Sequence, residues 1–174
     1  PHNFNPPEGY IATANNPVVD DSYPYHIGDL WEPSSRIERL RSVLSGAGGS
    51  ITLEECERMQ TDATSLFAQR LLPYVQLAIQ DPELPAADRV MVAEYLRNWH
   101  GMFSKDDVAT SIIQAWLVNV VRNTFADEMG DSLFHDWTQL TNIPMRVTVR
   151  LLAEGTSSWF DDGRTPVVET RDDI

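Results

Sequence analysis

The fold of this chain is decided between residues 108 and 121, where the sequence reads VATSIIQAWLVNVV. Apolar side chains recur there at helical spacing on one face and continue onto an adjoining face. They are Val108, Ile112, Ala115, Trp116 and Val120, joined by Ile113, Leu117 and Val121. A helix that is apolar nearly all round packs at the centre of a bundle, and this one is too short to span a bilayer. We therefore predict a buried helix within a mainly α fold.

Two further helices have recognisable start signals. Ser35 is followed three residues later by Glu38, and Thr52 by Glu55, which is the spacing of a capping box. The first box makes Arg36 the first helical residue. We predict that the helices capped at Ser35 and Thr52 form the body of a helical bundle.

The chain divides by pattern into residues 1–35, a strand and loop, and residues 36–174, a helical domain. Residues 9–14 are short and mostly apolar, and they lie between Pro6-Pro7 and Asn15-Asn16-Pro17. Such a run, bounded by turn residues, predicts one short buried strand that ends in a turn.

An Asn at a strand end is well placed to point into a site. The amide of Asn15 can donate hydrogen bonds there without ionising at any working pH. The alternative is that Asn15 and Asn16 simply form a turn before Pro17. Arg36 offers a rigid fork of donors but opposes the helix dipole, so it is either held by a specific acceptor or exposed on a solvated first turn.

Composition limits the functions that the chain can have. Its 174 residues are 42% apolar, which is enough for the core of one domain. The formal net charge is −13. Phosphate binding depends on Lys and Arg, so we expect neither nucleic acid nor an anionic membrane surface as a partner.

Three stretches near the start carry a family pattern: NPPEGYIATANN at residues 5–16, Tyr23-Pro24, and WEPSSR at residues 31–36. Together they resemble the middle of the catalytic β-chain of the penicillin acylase (penicillin amidase) family of N-terminal-nucleophile hydrolases. The resemblance implies that the strand belongs to the αββα core of a full enzyme. It also implies that the nucleophile, the first residue of a β-chain released by self-cleavage, is not in this chain, which begins at Pro1.

The resemblance also implies roles for two residues. Asn15 corresponds to the Asn that supplies its side-chain amide to the oxyanion hole, and Arg36 to the Arg that holds this Asn and the reacting centre in place. Agreement is dense from Asn5 to Arg36 and thin afterwards. At Leu96–Gly101 the sequence is LRNWHG, with His100 where the family commonly has Asp.

We expect no cofactor or metal in this chain. Members of the family often hold calcium with an acidic residue shortly after the Tyr-Pro pair, but Tyr25, His26 and Ile27 follow here, and Asp29 is a poor substitute. The four histidines are not spaced as paired zinc ligands.

Two functions remain open. The first is part of a periplasmic or secreted bacterial amidohydrolase that cleaves an acyl amide such as a penicillin, an acyl-homoserine lactone or a lipopeptide. Its partners would be the α-chain, the rest of the β-chain and a small-molecule substrate, and the chain alone would be inactive. The second is a non-catalytic helical interaction or structural domain.

Overall fold

The computed structural model describes residues 4–140 and 142–174. This part of the chain is mainly helical, which confirms the predicted fold class. The helices are α1 (Ser35–Gly46), α2 (Leu53–Gln60), α3 (Leu66–Ala78), α4 (Ala86–Leu96), α5 (Val108–Thr138) and α6 (Asn142–Glu154), followed by a 3-10 turn at Ser158–Phe160. Over the described residues, none of these helices combines the length and apolarity needed to cross a membrane.

Helix α5 lies at the centre and contacts α3, α4, α6 and the 3-10 turn. Its Ile113 and Val120 are buried in one apolar cluster with Leu71 of α3, so the predicted buried helix is confirmed. The helix is longer than its apolar run. Its backbone leaves helical geometry at Gly130 (φ 69°, ψ 161°), and Phe125, before this break, belongs to a second apolar cluster.

The start of α1 differs from its prediction. The N-cap is Ser34 rather than Ser35, and no side-chain cap hydrogen bond forms. Glu38, the expected capping-box partner, instead forms an ion pair with Arg70 of α3. A tertiary ion pair has thus replaced the local capping interaction, and the prediction of a capping box at Ser35 is wrong.

The capping box at Thr52 is confirmed. The Thr52 hydroxyl accepts from the backbone N–H of Glu55 at 3.2 Å, and the Glu55 carboxylate accepts from the backbone N–H of Thr52 at 2.7 Å. However, α2 has no buried residue. The two helices with predicted capping boxes therefore do not form the body of the bundle, which consists of α3, α4, α5 and α6.

Residues 4–34 form turns and irregular structure, so the strand predicted at residues 9–14 is absent from the described chain. Ile11 is 65% exposed, whereas Ala14 is buried. A strand needs a neighbour to pair its backbone polar groups, and the described residues offer none along this segment. The division into residues 1–35 and 36–174 stays a prediction.

Candidate functional site

Asn15 has an unusual backbone conformation. Its φ of 59° places it in the left-handed region, which Asn tolerates better than most residues. The preceding residue, Ala14, is buried, and its N–H donates to Oδ1 of Asn16 at 3.1 Å. Asn16 therefore stabilises the turn, while the side chain of Asn15 is exposed.

Asn15 and Arg36 are in direct contact. Nη1 of Arg36 donates to Oδ1 of Asn15 at 3.2 Å. A guanidinium has donors and no acceptor, so the oxygen of the amide must face it and the nitrogen must face away. The structure thus brings the two predicted site residues together, and their catalytic roles stay predictions.

The backbone of Asn15 is held by a second segment. Its carbonyl oxygen accepts from the N–H of Glu32 at 2.9 Å. The carbonyl of the same peptide group, that of Trp31, accepts from Nη1 of Arg146 at 3.0 Å and from Nδ2 of Asn142 at 3.5 Å. Residues of α6 thereby reach the segment that holds Asn15.

The first turn of α1, which carries Arg36, is attached to α3. Arg70 donates to the carboxylate of Glu38 and, at 3.3 Å, to the hydroxyl of Ser34. Hydrogen bonds from the Ser34 hydroxyl and from Arg70 lower the pKa of Glu38 below its ordinary value. A charged Glu38 at neutral pH therefore links the helix that positions Arg36 to the core.

Asp29 and His26, which lie near the position of the family's acidic calcium ligand, do not fit a calcium ion. The carboxylate of Asp29 is 86% exposed and lies 3.7 Å from Nε2 of His26. In the ranges 4–140 and 142–174, no cluster of three or more His, Cys, Asp or Glu side chains could hold a metal. Calcium prefers six to eight oxygen ligands, so Asp29 and His26 make a poor calcium site.

Sequence reasoning missed Glu32, Asn142 and Arg146. Glu32 donates its backbone N–H to Asn15, and Arg146 donates to the backbone carbonyl of Trp31. Such backbone groups leave no signature in the pattern of side chains. Arg146 is also 115 residues from Trp31 along the chain. Only the folded structure could have identified it.

Comparison with known proteins identifies the family of the chain. The model of the penicillin amidase family matches residues 1–174. The acyl-homoserine lactone acylase QuiP of Pseudomonas aeruginosa is 28% identical, over 98% of this chain and 22% of its own length. The protein of that name from Pseudomonas syringae pv. syringae is 26% identical, over 98% and 22%. The chain therefore spans less than a quarter of the length of these relatives.

Proposed function

The chain belongs to the penicillin amidase family, and on that premise we propose that it forms part of the active site of an amidohydrolase that cleaves acyl amides. Asn15 donates from Nδ2 to the oxyanion of the tetrahedral intermediate, and Arg36 holds the amide in the required orientation. The attacking nucleophile comes from another part of the enzyme. The hydrogen bond between Arg36 and Asn15 is the observation that carries this proposal.

The orientation of the amide supports the role of Asn15. With Oδ1 bound by Arg36, Nδ2 points away, and no acceptor for Nδ2 lies within hydrogen-bond distance among the described residues. The side chain is exposed, so a substrate carbonyl can approach it. The positive charge on Arg36 also polarises the amide and makes its N–H groups stronger donors. A non-catalytic helical domain has no need for such an arrangement.

The substrate class follows from the relatives. Those described above carry the name acyl-homoserine lactone acylase, and we propose an N-acyl amide of this kind as the substrate. The reaction is acyl transfer to the nucleophile, with the substrate carbonyl oxygen gaining negative charge before the amine leaves. An oxyanion donor of fixed orientation stabilises that charge more than it stabilises the ground state.

Replacing Asn15 in the complete enzyme tests the proposal. Removal of one oxyanion donor typically lowers kcat by roughly 10²–10³-fold, so Asn15→Ala should lower kcat to that extent with little change in KM. The matched control is Asn123→Ala, an exposed Asn on α5 with no side-chain hydrogen bond in the described structure. Self-cleavage must be verified for both variants. Mature Asn15→Ala enzyme with near wild-type kcat would refute the assignment.

The chain alone should not hydrolyse amides, because Asn15 can stabilise an oxyanion only after a nucleophile creates it. An assay of the purified 174-residue chain with a fatty-acyl anilide should give background turnover. Turnover that copurifies with the chain and is lost on replacing one of its own Ser, Thr or Cys residues would contradict this.

A further inference from the structure

We propose that Arg146 is a positioning residue of the oxyanion site, acting on Asn15 through the peptide group between Trp31 and Glu32. This inference rests on the proposed function of Asn15. It assigns a role in the reaction to α6, a helix that begins more than a hundred residues after Asn15.

The geometry is a continuous chain of hydrogen bonds. Nη1 of Arg146 donates to the carbonyl oxygens of Asp29 at 2.9 Å and Trp31 at 3.0 Å. The Trp31 carbonyl and the Glu32 N–H belong to one peptide group, and that N–H donates to the carbonyl oxygen of Asn15 at 2.9 Å. A single planar group therefore connects the cation of Arg146 with the backbone of Asn15.

The conjugation of the peptide group strengthens the series of hydrogen bonds from Arg146 to Asn15. A cation bound to the carbonyl oxygen draws electron density from the nitrogen, so the N–H of Glu32 becomes a stronger donor to Asn15. Hydrogen bonds in series reinforce one another in this way, by about 10–30% per bond in condensed-phase estimates. Arg146 is suited to the task because its charge is permanent and one nitrogen can serve two neighbouring carbonyls.

Asn15 requires a restraint of this kind. The left-handed region is sparsely populated by residues other than Gly, although Asn tolerates it better than most, and Arg36 holds only the side chain of Asn15. The segment 4–34 contains no helix or strand to fix the backbone. The hydroxyl contact between Tyr10 and Ser45, at 3.0 Å, is neutral and exposed. Asn16 restrains this backbone from within the turn by accepting from the N–H of Ala14. The restraint from another segment comes from the N–H of Glu32, and Arg146 fixes the peptide group to which that N–H belongs.

The test is a double-mutant cycle in the complete, self-cleaved enzyme, assayed with an N-acyl homoserine lactone. Because misplacement by about 1 Å can lower a rate by about 10²-fold, Arg146→Met should lower kcat by roughly 10–100-fold and change KM little. Arg146→Lys should retain more activity, since an ammonium can still donate to the Trp31 carbonyl. In an Asn15→Ala background, Arg146→Met should cause no further loss of kcat.

Arg150→Met is the matched control. Arg150 lies one turn further along α6, is 66% exposed and pairs with Glu154 at 3.8 Å. Its replacement should leave kcat unchanged, which separates the action of Arg146 from a general effect of removing an Arg from this helix.

The possible outcomes distinguish this inference from the proposed function. If Asn15→Ala is impaired while Arg146→Met keeps wild-type kcat, the inference alone is wrong. It is also wrong if Arg146→Met lowers kcat equally with and without Asn15, because the effect then bypasses Asn15. Wild-type kcat in Asn15→Ala overturns both. If Arg146→Met fails to mature, Arg146→Gln, which removes the charge, is placed in the same cycle. A loss of kcat that is absent from the Asn15→Ala background supports the inference, and any other result overturns it.

Discussion

The guanidinium of Arg36 donates to Oδ1 of Asn15 over 3.2 Å and so joins the first turn of α1 to a residue in the left-handed conformation. An arginine has no acceptor, so this contact alone decides which end of the amide faces away from the helix. This hydrogen bond fixes the orientation of the amide, and the exposure of the side chain leaves its N–H groups accessible.

Asn15→Asp should abolish most activity while preserving the contact with Arg36. The carboxylate has the same shape and pairs with the guanidinium, but it has no N–H and places a negative charge beside the oxyanion. The loss in kcat of the complete enzyme should therefore be at least the roughly 10²-fold expected for a lost donor. Asn123→Asp is the control, because Asn123 is exposed and its side chain forms no hydrogen bond among the described residues. Near wild-type kcat in Asn15→Asp would contradict the oxyanion role.

Arg36→Lys should lower kcat, though less than Asn15→Ala does. A lysine keeps the charge but loses the planar fork, so the amide of Asn15 is held less firmly. If both residues act on one geometry, the Asn15→Ala/Arg36→Lys enzyme should be no slower than Asn15→Ala. Arg41→Lys, an exposed position on the same helix, is the control. Fully additive losses would show that Arg36 acts elsewhere.

The contact between Asn15 and Arg36 could be anticipated because both residues lie within a pattern of family residues from Asn5 to Arg36. Arg146 could not, since it binds backbone carbonyls across more than a hundred residues. Any residue type at positions 29 and 31 presents the same carbonyl. Side-chain patterns therefore indicate a candidate donor such as Asn15 more readily than the groups that hold its backbone.

The difference between local side-chain patterns and contacts with distant residues also explains which parts of the fold prediction were right and which were wrong. The box at Thr52 is confirmed because the side chains of both its residues, Thr52 and Glu55, stay at the helix end. The box at Ser35 fails because Glu38 pairs with Arg70 of another helix. Local signals predicted helices well, but they could not predict which capping interaction a contact with another helix would replace.

Gly101→Ala should destabilise the chain substantially. Gly101 has a φ of +82°, and a Cβ there would lie 2.6 Å from Cγ of Gln69 and 2.8 Å from the carbonyl oxygen of Ser65. The strained backbone alone should lower the free energy of unfolding by about 1–3 kcal/mol, before any steric contact is added. Urea unfolding of the 174-residue chain followed by circular dichroism measures this. Gly163→Ala, where no atom lies within 4 Å of an added Cβ, should unfold like the wild type. Equal stability of the two variants would contradict the prediction.

Thr52→Ala should destabilise α2 by about 0.5–2 kcal/mol, the usual effect of losing an N-cap. No residue of α2 is buried, so we expect the loss as faster local opening of this helix rather than as a change in the global transition. Amide hydrogen exchange of residues in α2 measures the effect. The control is Ser50→Ala, at an exposed position two residues before the cap. Unchanged exchange in Thr52→Ala would show that the box does not stabilise the helix.

Acidification should weaken the attachment of α1 to α3. The pKa of Glu38 is lowered by the Ser34 hydroxyl and Arg70, so its folded pKa lies below the ordinary value of 4.5. A carboxyl of this kind stabilises the fold above its unfolded pKa, and that contribution is lost as pH falls through its folded pKa. The urea midpoint of the 174-residue chain should therefore fall as the pH drops below the ordinary value of 4.5, and Glu38→Gln should reduce that fall.

The size of this effect is limited by solvent, because the side chains of Arg70 and Glu38 are 38% and 41% exposed. Added salt should therefore reduce the difference between wild type and Glu38→Gln at neutral pH. The matched control is Glu8→Gln, at an exposed position that has no ion-pair partner among the described residues, and it should leave the pH dependence unchanged. If Glu38→Gln and Glu8→Gln gave the same acid profile as the wild type, the ion pair would contribute nothing to the attachment of α1, and the position of Arg36 would depend on the buried Ile37 instead.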